Sequence, residues 1–267
     1  MRIGLVLGGG GVVGASWLIG ALEALSSETG WDPSSAEFIV GTSAGSVVGS
    51  LCAVGLSPEH MSAYSTGRPM DEFADVEALA GQVSGLAEAL EEDGSEASEY
   101  RLARALPSIG PGSWRMAVST LRHPTRHAAS ALLSAWLPRG MISTDPIRDL
   151  VERFVPGQWP EHPNYWAVAC DYGTGRRVAF GRADAPPAPV GAAVAASCAI
   201  PAFYQPVKIG QSQYIDGGVC SPSNLDLLCG RDLDLVVCLN PTSSLSRLAV
   251  RSPAEGMAAS MRRASGR

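Results

Sequence analysis

Phe38-Ile39-Val40-Gly41-Thr42-Ser43-Ala44-Gly45-Ser46-Val47-Val48-Gly49 is the stretch on which the fold turns. Phe38 to Val40 is a short apolar, β-branched run of the kind that forms a buried strand, and Ser46 to Val54 is small and apolar enough for a buried helix. Between them Gly41-x-Ser43-x-Gly45 makes an elbow. The two glycines suit a turn so sharp that no Cβ fits beside the residue at its tip, and Ser43 sits at that tip. A hydroxyl held at a helix N-terminus lies where developing negative charge is favoured. The same pentapeptide also describes a plain Gly/Ser turn opening an ordinary helix, so the remaining chemistry must be found elsewhere.

Upstream, Arg2 to Leu7 is a strand, Gly8 to Gly14 a glycine loop, and Ala15 to Leu25 a helix with Leu18, Leu22 and Leu25 on one face. Two strand-loop-helix units in succession predict an α/β fold with a mainly parallel sheet, the first strand beside the Ser43 strand. Gly9-x-Gly11-x-x-Gly14 also satisfies a dinucleotide-binding fingerprint. That reading wants an acidic residue at the end of the next strand to hold a ribose, and this strand ends in Gly41-Thr42-Ser43. The loop offers instead a run of backbone N–H groups able to cradle an oxyanion.

Composition narrows the class further. A chain of 267 residues with 46% hydrophobic content supports one large domain. Its net charge of −6 gives no basic footprint for nucleic acid, and no nucleic-acid partner is expected. Six cysteines lie among small or apolar neighbours without C-x-x-C spacing, and four histidines show no paired metal spacing. Reduced thiols, a cytoplasmic location and no metal are the expectations. Residues 3 to 22 carry no charge, yet seven of the twenty are glycine, which suits neither a signal peptide nor a spanning helix.

The pattern changes between about residues 65 and 142, a variable helical insertion. Residues 71 to 99 hold ten acidic side chains and no Lys or Arg, with a helix expected over Val76 to Glu92 as a solvated face. Ser113 to Leu137 is basic and amphipathic, with Arg115, Arg122, Arg126, His123 and His127 among Trp114, Met116, Val118, Leu121, Leu132, Leu133 and Trp136. An insertion packed on the core is the first reading, and a lid or a face in peripheral contact with anionic lipid is the second. The α/β rhythm then resumes. Thr144 to Phe154 is a helix with an N-cap and an early proline, Tyr165 to Cys170 and Arg177 to Gly181 a hairpin, and Pro189 to Ser197 a small-residue helix. A second hairpin, Pro206 to Ile209 with Gln213 to Ile215, delivers Asp216-Gly217-Gly218, and Leu233 to Leu239 is the last strand. Residues 1–242 form the domain and 243–267 an Arg-rich tail that is frayed or disordered.

A serine needs a base before it is a useful nucleophile. In the ordinary α/β-hydrolase order a histidine comes last, and here none follows His162. Asp216 stands at a strand end between Ile215 and Gly217, and a carboxylate can act directly if burial raises its pKa. Asp-Gly-Gly is also a common turn.

Four segments in order resemble the patatin-like phospholipase family: Leu7-Gly8-Gly9-Gly10-Gly11-x-x-Gly14, Gly41-Thr42-Ser43-Ala44-Gly45, Ala196-Ser197-x-x-Ile200-Pro201-x-Phe203 and Asp216-Gly217-Gly218. The resemblance covers about residues 3 to 60 and 165 to 242. It implies a three-layer α/β/α sandwich and a serine lipid acyl hydrolase with Ser43 as nucleophile and Asp216 as base. Gly41 and Gly45 would form the elbow, Gly217 and Gly218 the turn that holds the base, and Gly9, Gly10 and Gly11 the oxyanion loop. It implies a lipid ester substrate and neither cofactor nor metal. One position departs from the family pattern: where a basic residue is usual before the last loop glycine, this chain has Val13, which core packing would explain. A soluble carboxylesterase or thioesterase, and a non-catalytic lipid-binding protein, are the competing readings.

Overall fold

Both glycine turns follow adjacent parallel strands, which brings them to one edge of the sheet. In the computed structural model, which describes residues 1–66, 112–122, 134, 136–155 and 159–243, β1 (Ile3–Leu7) pairs in parallel with β2 (Phe38–Thr42). The helix expected over Val76 to Glu92 and the tail beyond Ser243 lie outside the described residues, as does much of the 113–137 segment. β2 pairs in parallel with β3 (Tyr165–Asp171), and β1 on its other side with β7 (Leu235–Leu239). Antiparallel strands β4 (Arg177–Phe180), β5 (Val207–Ile209) and β6 (Ser212–Asp216) complete a seven-stranded mixed sheet in the order β5-β6-β3-β2-β1-β7, with β4 on β3.

Alternation along the central strands builds two cores. Leu5, Leu7, Ile39, Tyr165, Ala167 and Ala169 face one way, against Leu18 and Leu22 of α1 (Gly11–Thr29) and Val48 and Cys52 of α2 (Ala44–Ala53). α3 (Pro58–Thr66) packs on α1, while α5 (Asp145–Phe154) packs on α6 (Val190–Ser197), which lies over β3. Val6, Val40, Trp166 and Val168 face the other way, toward the 3-10 turn Leu225–Leu228. On that second side Met116 and Ala117 of α4 (Trp114–Arg122) pack with Cys170, Ile215 and Val219. Helices on both faces of a mostly parallel sheet make the three-layer α/β/α arrangement. The N-terminal part of the amphipathic segment is therefore docked on the core by its buried face.

The strand boundaries fall within two residues of those expected from the sequence, but α1 does not. It starts at Gly11 instead of Ala15 and runs to Thr29, so half of the predicted glycine loop is helix. Glycine is a poor helix former, which is why sequence placed the boundary later. Tertiary packing overrides that preference, because Gly10 and Gly14 both sit against Pro241. Thr144 precedes α5 as expected but gives no side-chain cap; Ser143 Oγ accepts the Asp145 N–H at 3.0 Å in its stead.

α2 approaches the end of β1 so closely that a Cβ on Gly45 would overlap the Leu7 carbonyl. Backbone on that side cannot yield as a flexible side chain would. Gly45→Ala is expected to destabilise the fold by about 2–3 kcal/mol, measurable by urea unfolding, whereas Gly20→Ala, which meets open space, should be neutral or stabilising.

Candidate active site

Ser43 follows β2 at φ 53° and ψ −125°, a backbone state that costs a residue with a Cβ about 1–3 kcal/mol. Three side chains hold it there. The Ser43 N–H donates to Ser197 Oγ at 2.9 Å, and that hydroxyl donates onward to the Val168 carbonyl of β3 at 2.6 Å. Ser46 returns both its N–H and its Oγ–H to the Ser43 carbonyl at 2.7 Å. The buried Tyr165 hydroxyl fixes that turn through the Ser46 carbonyl at 2.6 Å. Ser43 itself is buried at 6% exposure, inside the elbow formed by Gly41 and Gly45.

Asp216 reaches the same place from the opposite end of the chain. In the sheet Val168 is registered with Thr42 and the next residue, Ala169, with Asp216. Consecutive residues of β3 thus register the Ser43 strand on one side and the Asp216 strand on the other. Asp216 is as buried as Ser43, and its Oδ1 accepts the Gly218 N–H at 2.7 Å. Burial pushes its carboxyl pKa up to about 6, while hydrogen bonds from the Ser43 hydroxyl and the Gly218 N–H pull the other way. A buried acid with its pKa raised toward neutrality beside a serine hydroxyl is suited to act as a general base. The described histidines are engaged elsewhere: His162 bonds the Ala36 carbonyl and the Asn164 N–H, and the His60 Nδ1 bonds Ser57 Oγ.

The glycine loop closes the third side. A Cβ on Gly9 would lie 3.3 Å from that of Ser43, so loop and nucleophile are in contact. Of the three amides expected to face an oxyanion, the Gly9 N–H is already engaged by the Pro222 carbonyl at 3.0 Å. Gly10 and Gly11 stand before the first internal hydrogen bond of α1, from Gly14 N–H to Gly10 O at 3.0 Å. Their amides belong to the unsatisfied first turn, where the helix dipole adds to them. Gly11 has φ +63°, a conformation glycine adopts without strain. Val12 and Val13 follow it at 77% and 82% exposure, so core packing does not explain Val13.

The family model for patatin-like phospholipase matches residues 5–228, a span that includes all four motifs. This chain belongs to the patatin-like phospholipase family. That family is one of lipid acyl hydrolases, and lipids are the substrates it implies. A comparison with curated proteins gave no match.

Ser43, Asp216, Gly9, Gly10, Gly11, Gly41, Gly45, Gly217 and Gly218 all meet at this one edge of the sheet. Sequence quoted Ser197 only as part of a segment and gave it no role, although its place between Ala196 and Ile200-Pro201 was the available signal. Cys198, the next residue, is not a rival nucleophile, because burial pushes its thiol pKa far above neutrality.

A carboxyl whose pKa is raised by folding favours the folded state most when protonated, and that contribution is lost as pH rises from the unfolded value through about 6. Above pH 6 the buried carboxylate therefore costs on the order of 2–3 kcal/mol. Asp216→Asn should accordingly be more stable than wild type at pH 7–8 in urea unfolding, with the difference shrinking toward pH 4.

Proposed function

We propose that the chain is a serine hydrolase of lipid acyl esters that works through a Ser43–Asp216 dyad. The observation that carries this reading is the pairing of a serine in a strained elbow with a buried carboxyl of raised pKa at its hydroxyl. In the reaction Asp216 accepts the Ser43 proton as Oγ attacks the ester carbonyl. The oxygen of the tetrahedral adduct takes up negative charge beside the Gly10 and Gly11 amides. Collapse breaks the acyl–oxygen bond, and the leaving alcohol carries away the proton held on Asp216. Water then repeats the sequence: Asp216 takes its proton, hydroxide oxygen adds to the acyl carbonyl, and Ser43 leaves with the proton restored. Loss of one oxyanion donor typically costs about 3 kcal/mol of transition-state stabilisation, so the loop weighs as heavily as the base.

Exposed Trp114 and Val118, one turn apart on α4, support peripheral contact with a lipid surface through residues 113–137. Replacing Trp114 by alanine should then weaken co-sedimentation with anionic vesicles, and unaltered sedimentation would remove this contact from the reading.

A fluorophosphonate probe should label Ser43, located by mass spectrometry, and Ser43→Ala should lose both labelling and ester turnover with little change in melting temperature. Because Asp216 must be unprotonated to accept a proton, kcat/KM should climb about tenfold per pH unit below pH 6 and level off above it. A flat profile from pH 5 to 8 would assign the base to another group. Faster turnover of short-chain than of long-chain esters would favour a soluble carboxylesterase. Saturable vesicle binding with no labelling would favour a non-catalytic lipid binder.

A further inference from the structure

Asn224 is buried to 0% exposure and sits in the left-handed backbone region at φ 55°. Its carboxamide is the centre of a polar network that spans the site from behind. Nδ2 donates to Thr42 Oγ1 at 2.9 Å and to the Ser221 carbonyl at 2.7 Å, with the Gly217 carbonyl farther off at 3.5 Å. Its own N–H donates to Ser221 Oγ at 3.1 Å. Thr42 is the residue before Ser43, is fully buried, and lies in β2. Gly217 and Ser221 belong to the turn that follows Asp216.

The amide is also oriented. Oδ1 accepts from an Arg177 guanidinium nitrogen at 3.2 Å, and the same guanidinium grips Asp226 with two bonds of 2.7 and 2.6 Å. A flipped amide would turn its two N–H donors toward the cation and set its oxygen against the Ser221 carbonyl, which cannot donate. β4, which carries Arg177, and the 3-10 turn, which carries Asp226, therefore fix which end of Asn224 faces the nucleophile strand.

We infer that Asn224 is a positioning residue, the cross-link that sets the separation of Ser43 from Asp216. This rests on the dyad reading above. β2 and β6 do not pair with each other; each is registered on β3, at Val168 and Ala169, and that strand fixes the frame on one side. Asn224 ties Thr42 to the turn after Asp216 and closes the frame on the other. With both ties in place neither the elbow nor the acid turn can slide along β3, and a displacement of about 1 Å is enough to cost roughly 100-fold in rate. Asn224 touches no reacting atom, so its effect passes entirely through Ser43 and Asp216.

The test uses the full-length protein, p-nitrophenyl butyrate as substrate and the fluorophosphonate labelling rate of Ser43 as a second readout. Asn224→Ala and Thr42→Val should each lower kcat and the labelling rate at least tenfold while KM stays within about twofold, and Thr42→Ser, which keeps the hydroxyl, should restore wild-type rates. The double variant should fall no further than the worse single one, because both remove the same bond. The acid limb of kcat/KM should move to higher pH in Asn224→Ala, since a displaced Ser43 hydroxyl no longer holds the Asp216 pKa down. Should Asn224→Ala not fold, Thr42→Val, which removes only the acceptor, decides the matter. Wild-type labelling rates in folded variants, a loss confined to KM, or a Thr42→Ser protein as slow as Thr42→Val would overturn the inference while leaving the dyad standing. A wild-type protein that neither labels nor turns over would overturn the dyad itself, and the positioning role with it.

Discussion

The pairing of β3 with two strands at once is the constraint from which the rest of the site follows. β2 and β6 are distant in sequence, run in opposite senses relative to β3, and have no pairing of their own. Registered on consecutive residues, Val168 and Ala169, they are brought end against end, so that Ser43 leaves one strand where Asp216 closes the other. A one-residue slip of either strand would turn its side chains to the opposite face. The alternation of Tyr165, Ala167 and Ala169 toward one core and Trp166 and Val168 toward the other prevents that slip, since each face is buried. Hydrophobic patterning in β3 is thus what holds a polar pair in register.

Strain at Ser43 depends on the same strand. The elbow's left-handed backbone is maintained because its N–H has one good acceptor, Ser197 Oγ, and Ser197 is itself anchored to the carbonyl of Val168. α2 begins immediately beyond, and its approach to Leu7 requires Gly45. A residue held this way has little freedom to relax into a commoner backbone conformation. Preorganisation of this kind lowers the reorganisation needed when charge develops.

Much of this was legible from residue patterns because it depends on local chemistry. Alternating apolar runs gave the strands, paired glycines gave the elbow, and the absence of a histidine after His162 left Asp216 as the late acid at a strand end. Other features were hidden for a physical reason. The start of α1 could not be read, because four glycines in a row argue for a loop until Pro241 is packed against them. The spent amide of Gly9 was equally invisible, since its acceptor, the Pro222 carbonyl, comes from more than two hundred residues away. Val12 and Val13 look like core residues in sequence, yet a helix beginning at Gly11 turns both outward beside the loop. Ser197 and Asn224 are ordinary small polar residues whose meaning lies only in partners brought together by the sheet.

In the proposed dyad the base is a buried carboxyl, with a physical consequence that a histidine would not impose. An imidazole is neutral in its active form and loses little on burial, whereas Asp216 acting as the proposed base would be an anion at 6% exposure. Two donors, the Ser43 hydroxyl and the Gly218 N–H, compensate for part of the lost hydration, and the pKa settles near 6 instead of rising further. That compromise suits the proposed role. With fewer donors the carboxyl would stay protonated at neutral pH and accept nothing; with more it would be too weak a base to draw a proton from serine. The close turn at Gly217 and Gly218, which brings one N–H onto Oδ1 and leaves the hydroxyl of Ser43 to the carboxylate, therefore tunes the acid as well as placing it. Stability given up at Asp216 and strain held at Ser43 are both sustained by the same apolar packing around β3.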